Sequence, residues 1–459
     1  MSSRAKIKLI FLTAIATLNL TSCQGWLLQD SATKPTAKST NQTTQKSVEI
    51  NDSDSRVSTG DKILLDKNPS TPKQTAANSY EYGNYQQAAS QWENSLKIQR
   101  NDPESLIYLN NARIGTSPFY SIAIPVPIDA EINVAKEILR GAAQAQEQIN
   151  SSGGINNKPV KLIIANDSND LNIAKELADR FSKNPEILGV VGHFSSDVTL
   201  EAAQVYQNKG LVVISPTSTS TAISNVGSYE FRTVSSDCFA GNALVEHLVN
   251  QIQIIQAAVV YNSASSYSTS MRDVFKNSLS KKDGAVVAEF NFNQPNFDIV
   301  DVLAEIKEKN AQAIALFPNS SGINALETLD KTFLLASINK GELPLLGGDS
   351  LYKLRTLQLG QDNVRDMILA VPWNTDNTDS GFVELATNLW GGAVNWRSAL
   401  TYDATMALGA AIKQSATRAS IQQALLDPDF SAAGASGEIT FLPTGDRAGE
   451  VQLVKVQAG

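Results

Sequence analysis

Two clusters of small hydroxyl-bearing residues are the best candidates for chemistry in this chain. One is Gly192-His193-Phe194-Ser195-Ser196 and the other is Ser215-Pro216-Thr217-Ser218-Thr219-Ser220. Each follows a short apolar run, Ile187–Val191 or Leu211–Ile214, and the intervening Val198–Gln207 has helical spacing. An apolar run of this length, bounded by turn residues, suits a parallel strand buried on both faces, so the stretch reads as a β-α-β unit. Open parallel sheets bind ligands beyond the carboxyl ends of their strands. Both strands therefore deliver hydroxyls and free backbone N–H groups to one rim. His193 reads as a structural hydrogen-bonding residue, so no general base is assigned beside them. Such a rim can cradle an anion, but it lacks the proton acceptor that activates a nucleophile.

The totals narrow the classes. A chain of 459 residues has room for two or three domains at ~150 residues each. With 42% hydrophobic and 18% charged residues it has the composition of an ordinary globular protein. The formal charge is −8 and the Lys and Arg residues are scattered, which argues against a nucleic-acid partner. Two histidines (His193, His247) and two cysteines (Cys23, Cys238) give a zinc site or a His-based triad little to draw on. GxSxG, Walker A, HExxH and CxxC patterns are absent, so the reading is a binding protein with no cofactor and no metal rather than an enzyme.

The N-terminus reads as an address. Arg4, Lys6 and Lys8 precede the apolar run Leu9–Leu20, which is too short to span a bilayer and has the form of a secretory signal. It ends in Leu20-Thr21-Ser22-Cys23, which resembles a bacterial lipobox and implies cleavage after residue 22 and lipidation of Cys23. Residues 23–78 are rich in Ser, Thr, Gln, Asn and Lys and are expected to form a disordered tether. Residues 79–117 change character. Gly83, Tyr85, Ala88, Trp92 and Pro103 sit close to the slots of a tetratricopeptide repeat, and the segment reads as a helical hairpin that packs on the next domain.

From Pro118 strand and helix patterns alternate to the end. The first series has strands at Ile122–Val126, Val160–Ala165, Ile187–Val191 and Leu211–Ile214; the second has Ala257–Tyr261, Ala285–Phe290, Ala313–Phe317, Pro344–Leu346 and Ile368–Val371. This is an α/β protein of two doubly wound, Rossmann-like lobes. The motifs Gly141-Ala142, Gly153-Gly154-Ile155-Asn156, Val191–Ser196, Ile214–Thr219, Phe231-Arg232-Thr233, Gly347-Gly348-Asp349, Tyr402-Asp403-Ala404 and Gly437–Phe441 come in an order and spacing that resembles one family. It is that of the type I periplasmic binding proteins, specifically the branched-chain amino-acid (Leu/Ile/Val) receptors of ABC transporters.

The resemblance implies a two-lobed domain over 118–456 with a three-crossing hinge near Ser235, Pro372 and Leu425–Ala435. Lobe 1 would comprise about 119–235 and 373–425, and lobe 2 about 236–372 and the C-terminal tail. By matching position, Ser196 and Thr219 are expected to hold a ligand carboxylate, with Ser195 and Thr217 as their backbone-contacting neighbours. Asp349 would face a ligand ammonium, and Tyr267 and Tyr402 would be closing aromatics. The loop Pro127–Ala135 lacks the family's usual glycines and aromatic, and Phe317–Ser321 lacks a Gly-Gly-Tyr, so the ligand's identity stays open.

The implied function is a lipid-anchored solute-binding protein, in the periplasm or on the outer face of a bacterial membrane, that hands an amino acid or similar small carboxylate to an ABC permease. The alternative is a regulatory lipoprotein whose binding-protein-like domain and helical segment bind another envelope protein, such as a peptidoglycan synthase.

Overall fold

Apolar runs bounded by turn residues form two parallel sheets in a computed structural model that describes residues 52–375 and 381–457. The first sheet holds β1 (Val57–Ser58), β2 (Tyr120–Val126), β3 (Val160–Asn166), β4 (Ile187–Val191), β5 (Val212–Ser215) and β6 (Glu230–Arg232), in the order β1-β3-β2-β4-β5-β6. Next come β7 (Gln256–Tyr261), β8 (Ala285–Asn291), β9 (Ala313–Phe317), β10 (Leu345–Gly347) and β11 (Ile368–Val371), then a ribbon of β12 (Ala432–Gly434) and β13 (Gly437–Ile439), then β14 (Gln452–Lys455). The second sheet has the order β14-β11-β10-β9-β7-β8. Leaving aside β1 and β14, both sheets run second-first-third-fourth-fifth, so the chain has wound the same doubly wound lobe twice. Antiparallel β1 covers one edge, with Val57 opposite Ala165, and antiparallel β14 covers another, with Val454 opposite Leu369. Covering an edge removes a template for unwanted strand pairing.

Besides a single helical turn at Asp52–Ser55, the α-helices are α1 (Thr71–Glu81), α2 (Tyr85–Ile98), α3 (Pro103–Ile114), α4 (Ile132–Ser151), α5 (Leu171–Lys183), α6 (Ser196–Lys209), α7 (Asp237–Glu246), α8 (Ser266–Ser280), α9 (Ile299–Glu308), α10 (Ala325–Asn339), α11 (Leu354–Gly360), α12 (Phe382–Trp390), α13 (Trp396–Gln414) and α14 (Arg418–Leu426). In lobe 1, α4 and α13 cover one face of the sheet and α5 and α6 the other. In lobe 2, α9 and α10 lie on one face and α7 and α8 on the other. Helix α4 crosses α13 at close range. A Cβ on Gly141 would lie 2.1 Å from the carbonyl oxygen of Ser398 and 2.8 Å from the Tyr402 nitrogen, so only glycine lets the two backbones meet there.

The N-terminal region departs from the tether and hairpin expectation. Cys23 and the residues up to 51 lie outside the described residues, but 52–78 are built into the fold: β1 joins the sheet and α1 starts at Thr71. Polar composition misled because the segment is held by specific bonds rather than by apolar area. Glu104, fully buried, accepts from the backbone N–H groups of Leu64 (2.6 Å) and Leu65 (3.2 Å). The buried Lys73 ammonium bridges Asp102 (2.7 Å) and Glu104 (2.9 Å), pairing charges that burial would otherwise penalise. Three helices, not two, follow. Every residue of α3 except Arg113 is buried, and Asn111 exchanges hydrogen bonds with the Leu162 backbone of β3 at 2.7 and 3.2 Å. The helical segment is thus bonded into lobe 1.

The third hinge crossing also lies later than expected. Phe430, Ala435 and Ile439 belong to the lobe 1 core, Phe441 packs on Phe231, and Arg232 N–H donates to the carbonyl of Gly445. The chain leaves lobe 1 only between this point and β14. The reason is the ribbon β12–β13, which Asp403 of α13 holds through the N–H of Ala435 at 2.5 Å.

Candidate functional site

Most of the segments that meet between the lobes leave the carboxyl ends of parallel strands. From lobe 1 come the loops after β4 and β5; from lobe 2 come those after β7, β9 and β10. Together they enclose a cleft lined by residues that include Ser195, Ser196, Thr217 and Thr219 on one side and Tyr267, Asn319, Asp349 and Ser350 on the other. The start of α13 adds Trp396 and Arg397.

The lobe 1 wall is an uncapped helix end. Ser195 occupies the N-cap of α6 in extended conformation, but its side chain makes no capping bond; the hydroxyl donates instead to Asn169 Oδ1 at 2.6 Å. The first-turn N–H groups of α6 are therefore left to a ligand, and with the helix dipole they favour an anion. Thr217 locks the two loops together, donating to the carbonyls of Phe194 (2.8 Å) and His193 (3.3 Å). Ser215 Oγ adds a bond to the His193 carbonyl at 3.1 Å. Ser196 Oγ accepts from the N–H of Ser220 at 3.3 Å and keeps its own proton to give. Beneath the loop, the buried His193 ring meets Asp167 (2.6 Å) and Tyr206 (3.1 Å), which anchors it away from the cleft.

The lobe 2 wall carries the negative charge. Burial pushes the Asp349 carboxyl up to about 6, against the pull of the Arg397 cation and a bond with Tyr267. Asp237, at the start of α7, is pushed up to about 7, chiefly by burial and further by the Asp349 charge. Tyr267 Oη donates to Ser350 Oγ at 3.2 Å, and burial next to Asp349 raises its phenol well above the usual range. Gly348 makes this possible: a Cβ there would lie 2.3 Å from Tyr267 Oη. The lobes also touch directly. Asp197 accepts from the N–H of Ser266 at 2.9 Å and from its hydroxyl, and Thr221 N–H donates to Ser270 Oγ at 3.0 Å.

Six of the seven expected site residues thus line one cleft: Ser195, Ser196, Thr217, Thr219, Tyr267 and Asp349. Tyr402 does not. Its hydroxyl donates to Gln148 Oε1 of α4 at 2.7 Å, and its ring packs on Phe382 with centroids 5.0 Å apart. Cys238 is half-buried. The expectation missed Arg397, which is 5% exposed and lies 4.2 Å from the Trp396 ring centroid. The signal was there in Asn395-Trp396-Arg397, a cap and an aromatic opening a long apolar helix.

A family model described as "Periplasmic binding protein" matches residues 129–459. An amino acid binding protein of Pseudomonas aeruginosa is 28% identical over 186 residues, 40% of this chain and 50% of its own length. The chain spans about half the length of the curated relatives it matches. Solved structures share the fold. An ABC transporter substrate-binding protein from Desulfitobacterium hafniense in complex with Leu superposes with a TM-score of 0.63 at 23% identity, covering 74% of this chain and 98% of that one. A solute-binding protein of an ABC transporter from R. palustris, in complex with benzoate, gives 0.64 at 18% identity, covering 74% and 94%. With the family model matched from residue 129 to the last residue and both sheets wound in the same order, this chain belongs to the periplasmic binding protein family.

Proposed function

We propose that this protein captures an amino acid or similar small carboxylate outside the cytoplasm, by closure of its two lobes, and delivers it to an ABC permease. One observation carries the reading: an uncapped helix end with Ser196 and Thr219 on lobe 1 faces Asp349 and Tyr267 on lobe 2 across a single cleft. The first set suits a carboxylate and the second an ammonium, so a zwitterion satisfies both walls only when the lobes are together. The likeness to proteins solved with leucine and with benzoate supports a carboxylate as the shared feature. The role needs no catalysis. Isothermal titration of ligand-stripped protein against the amino acids and benzoate tests it, and the absence of binding to every one of them would count decisively against it.

Anchoring through a lipid on Cys23 is part of the same proposal, since it keeps the receptor beside its permease. The competing chemistry is a disulfide, because Cys23 and Cys238 are the only two cysteines of the chain. Mass spectrometry of the N-terminal peptide from native membranes decides between them. A diacylglyceryl thioether is expected; a Cys23–Cys238 linked peptide removes the anchor. The alternative role, as a regulator of another envelope protein, would use the binding-protein-like domain together with the helical segment. Within that segment Trp92 and Tyr108 are fully buried against each other, with ring centroids 5.3 Å apart, whereas Tyr82 and Ile98 are exposed.

A further inference from the structure

We propose that Arg397 is the specificity residue of the cleft and that the ligand is an acidic α-amino acid, whose side-chain carboxylate it binds. The inference deepens the reading above and rests on it. Arg397 is nine-tenths buried, lines the cleft beside Ser196, Thr219 and Asp349, and its guanidinium has no hydrogen-bond or ion-pair partner among the described residues. A buried guanidinium offers five donors in a plane and has a strong need for a planar anionic partner. Its plane is held by Trp396, 4.2 Å from ring centroid to guanidinium carbon, and by Phe194 at 5.9 Å, so the donors are preorganised rather than searching.

The cleft's own carboxylates do not meet this need. Asp349 and Arg397 share the cavity and feel each other's charge, yet they form no ion pair. Glu137 is engaged by Arg140 and by Ser398 Oγ at 2.6 Å. The Glu131 carboxylate of lobe 1 feels Lys353 of lobe 2 more strongly than it feels Arg397, and it forms no ion pair with Arg397. What remains is one anion cradle at the start of α6, one carboxylate at Asp349 and one fixed cation at Arg397. A ligand with an α-carboxylate, an ammonium and a second carboxylate pairs all three. A leucine would satisfy the first two and press an alkyl group against an unpaired buried cation.

The test is titration of the full, ligand-stripped chain with L-glutamate, L-aspartate and L-leucine, repeated on Arg397→Met and Arg397→Lys. At least one acidic amino acid is expected to bind ten times or more tighter than leucine. Arg397→Met should bring that ratio close to one, and Arg397→Lys, which keeps the charge without the planar fork, should fall between. Leucine binding as tightly as glutamate and aspartate to the unaltered protein overturns the inference while leaving the small-carboxylate reading intact. A preference that survives in Arg397→Met also overturns it. Binding of none of the three overturns the inference, and the wider amino-acid and benzoate panel then decides whether the reading beneath it falls too. The ratio in the unaltered chain decides the matter even if a variant fails to fold.

Discussion

Asp197 and Ser266 tie the two lobes together at the mouth of the cleft. Asp197 sits in the first turn of α6, Ser266 opens α8, and the carboxylate takes both the backbone N–H and the hydroxyl of the serine. Two helix N-termini from different lobes thus share one negative charge, which offsets both dipoles at once. Hydrogen bonds to a charged group contribute about 1.5–3 kcal/mol. Asp197→Ala is therefore expected to weaken ligand binding by about tenfold or more, chiefly through faster release. Stopped-flow dissociation and titration check this; an unchanged dissociation rate would show that the contact does not hold the closed form.

Ligand affinity should fall as the solution is acidified through the titration of Asp349. Burial raises this carboxyl to about 6 in the ligand-free cleft, where Arg397, Tyr267 and Lys353 face it. A ligand ammonium requires the ionised form and lowers the bound-state value. Binding is therefore constant above neutral pH and weakens below pH 6, by about tenfold between pH 7.5 and 5. The stability of the empty protein has its own sign. A folded pKa raised above the unfolded value means that this group's contribution is present below about pH 4 and is lost as pH rises through about 6. Asp349→Asn should flatten both profiles, measured by titration and by denaturant unfolding at each pH.

The lobes were legible because parallel strands buried on both faces are short, continuous apolar runs, as Ile187–Val191 and Ala313–Phe317 show. The edge strands β1 and β14 were not, since a strand of two to four partly buried residues carries no such run. The hydroxyl clusters could be placed because they follow strands directly. Tyr402 shows where spacing fails. It lies on the helix that serves the cleft, but five residues past Arg397, which turns it about 140° around the axis toward α4. Arg397 was passed over because a single charge in a chain with 38 basic residues looks like solvated surface. Only the crossing of α4 and α13 shows that its helix begins inside the cleft.

That crossing yields a further expectation. Gly141 has no room for a side chain, with the Ser398 carbonyl 2.1 Å from where its Cβ would be. Gly141→Ala must push α13 away from α4, and overpacking of this kind costs about 3 kcal/mol. The displacement also moves Trp396 and Arg397, which precede the obstructing Ser398 by two positions and one on the same helix. Denaturant unfolding should show the loss of stability, and titration should show weaker binding in the fraction that folds. A variant as stable as the parent would mean that the helices separate at little cost.

Arg232 offers the sharpest test of how the ligand loop is held. It is fully buried, and its guanidinium donates to Asp446 (2.6 Å), to Ser224 Oγ (2.7 Å) and to the carbonyls of Ser220 (2.7 Å) and Ser218 (3.3 Å). The two carbonyls flank Thr219, so one side chain fixes the backbone that presents a cleft residue. Arg232→Met strands the Asp446 charge and two carbonyls, and removing one partner of a buried pair costs about 3–5 kcal/mol. Arg232→Met with Asp446→Leu removes the stranded charge and should recover part of that stability. It should not recover ligand affinity, because the carbonyls of Ser218 and Ser220 still lack their donor and the loop is free to shift. Unfolding and titration of the single and double variants separate the two effects; full recovery of binding in the double variant would show that the loop holds its shape without Arg232.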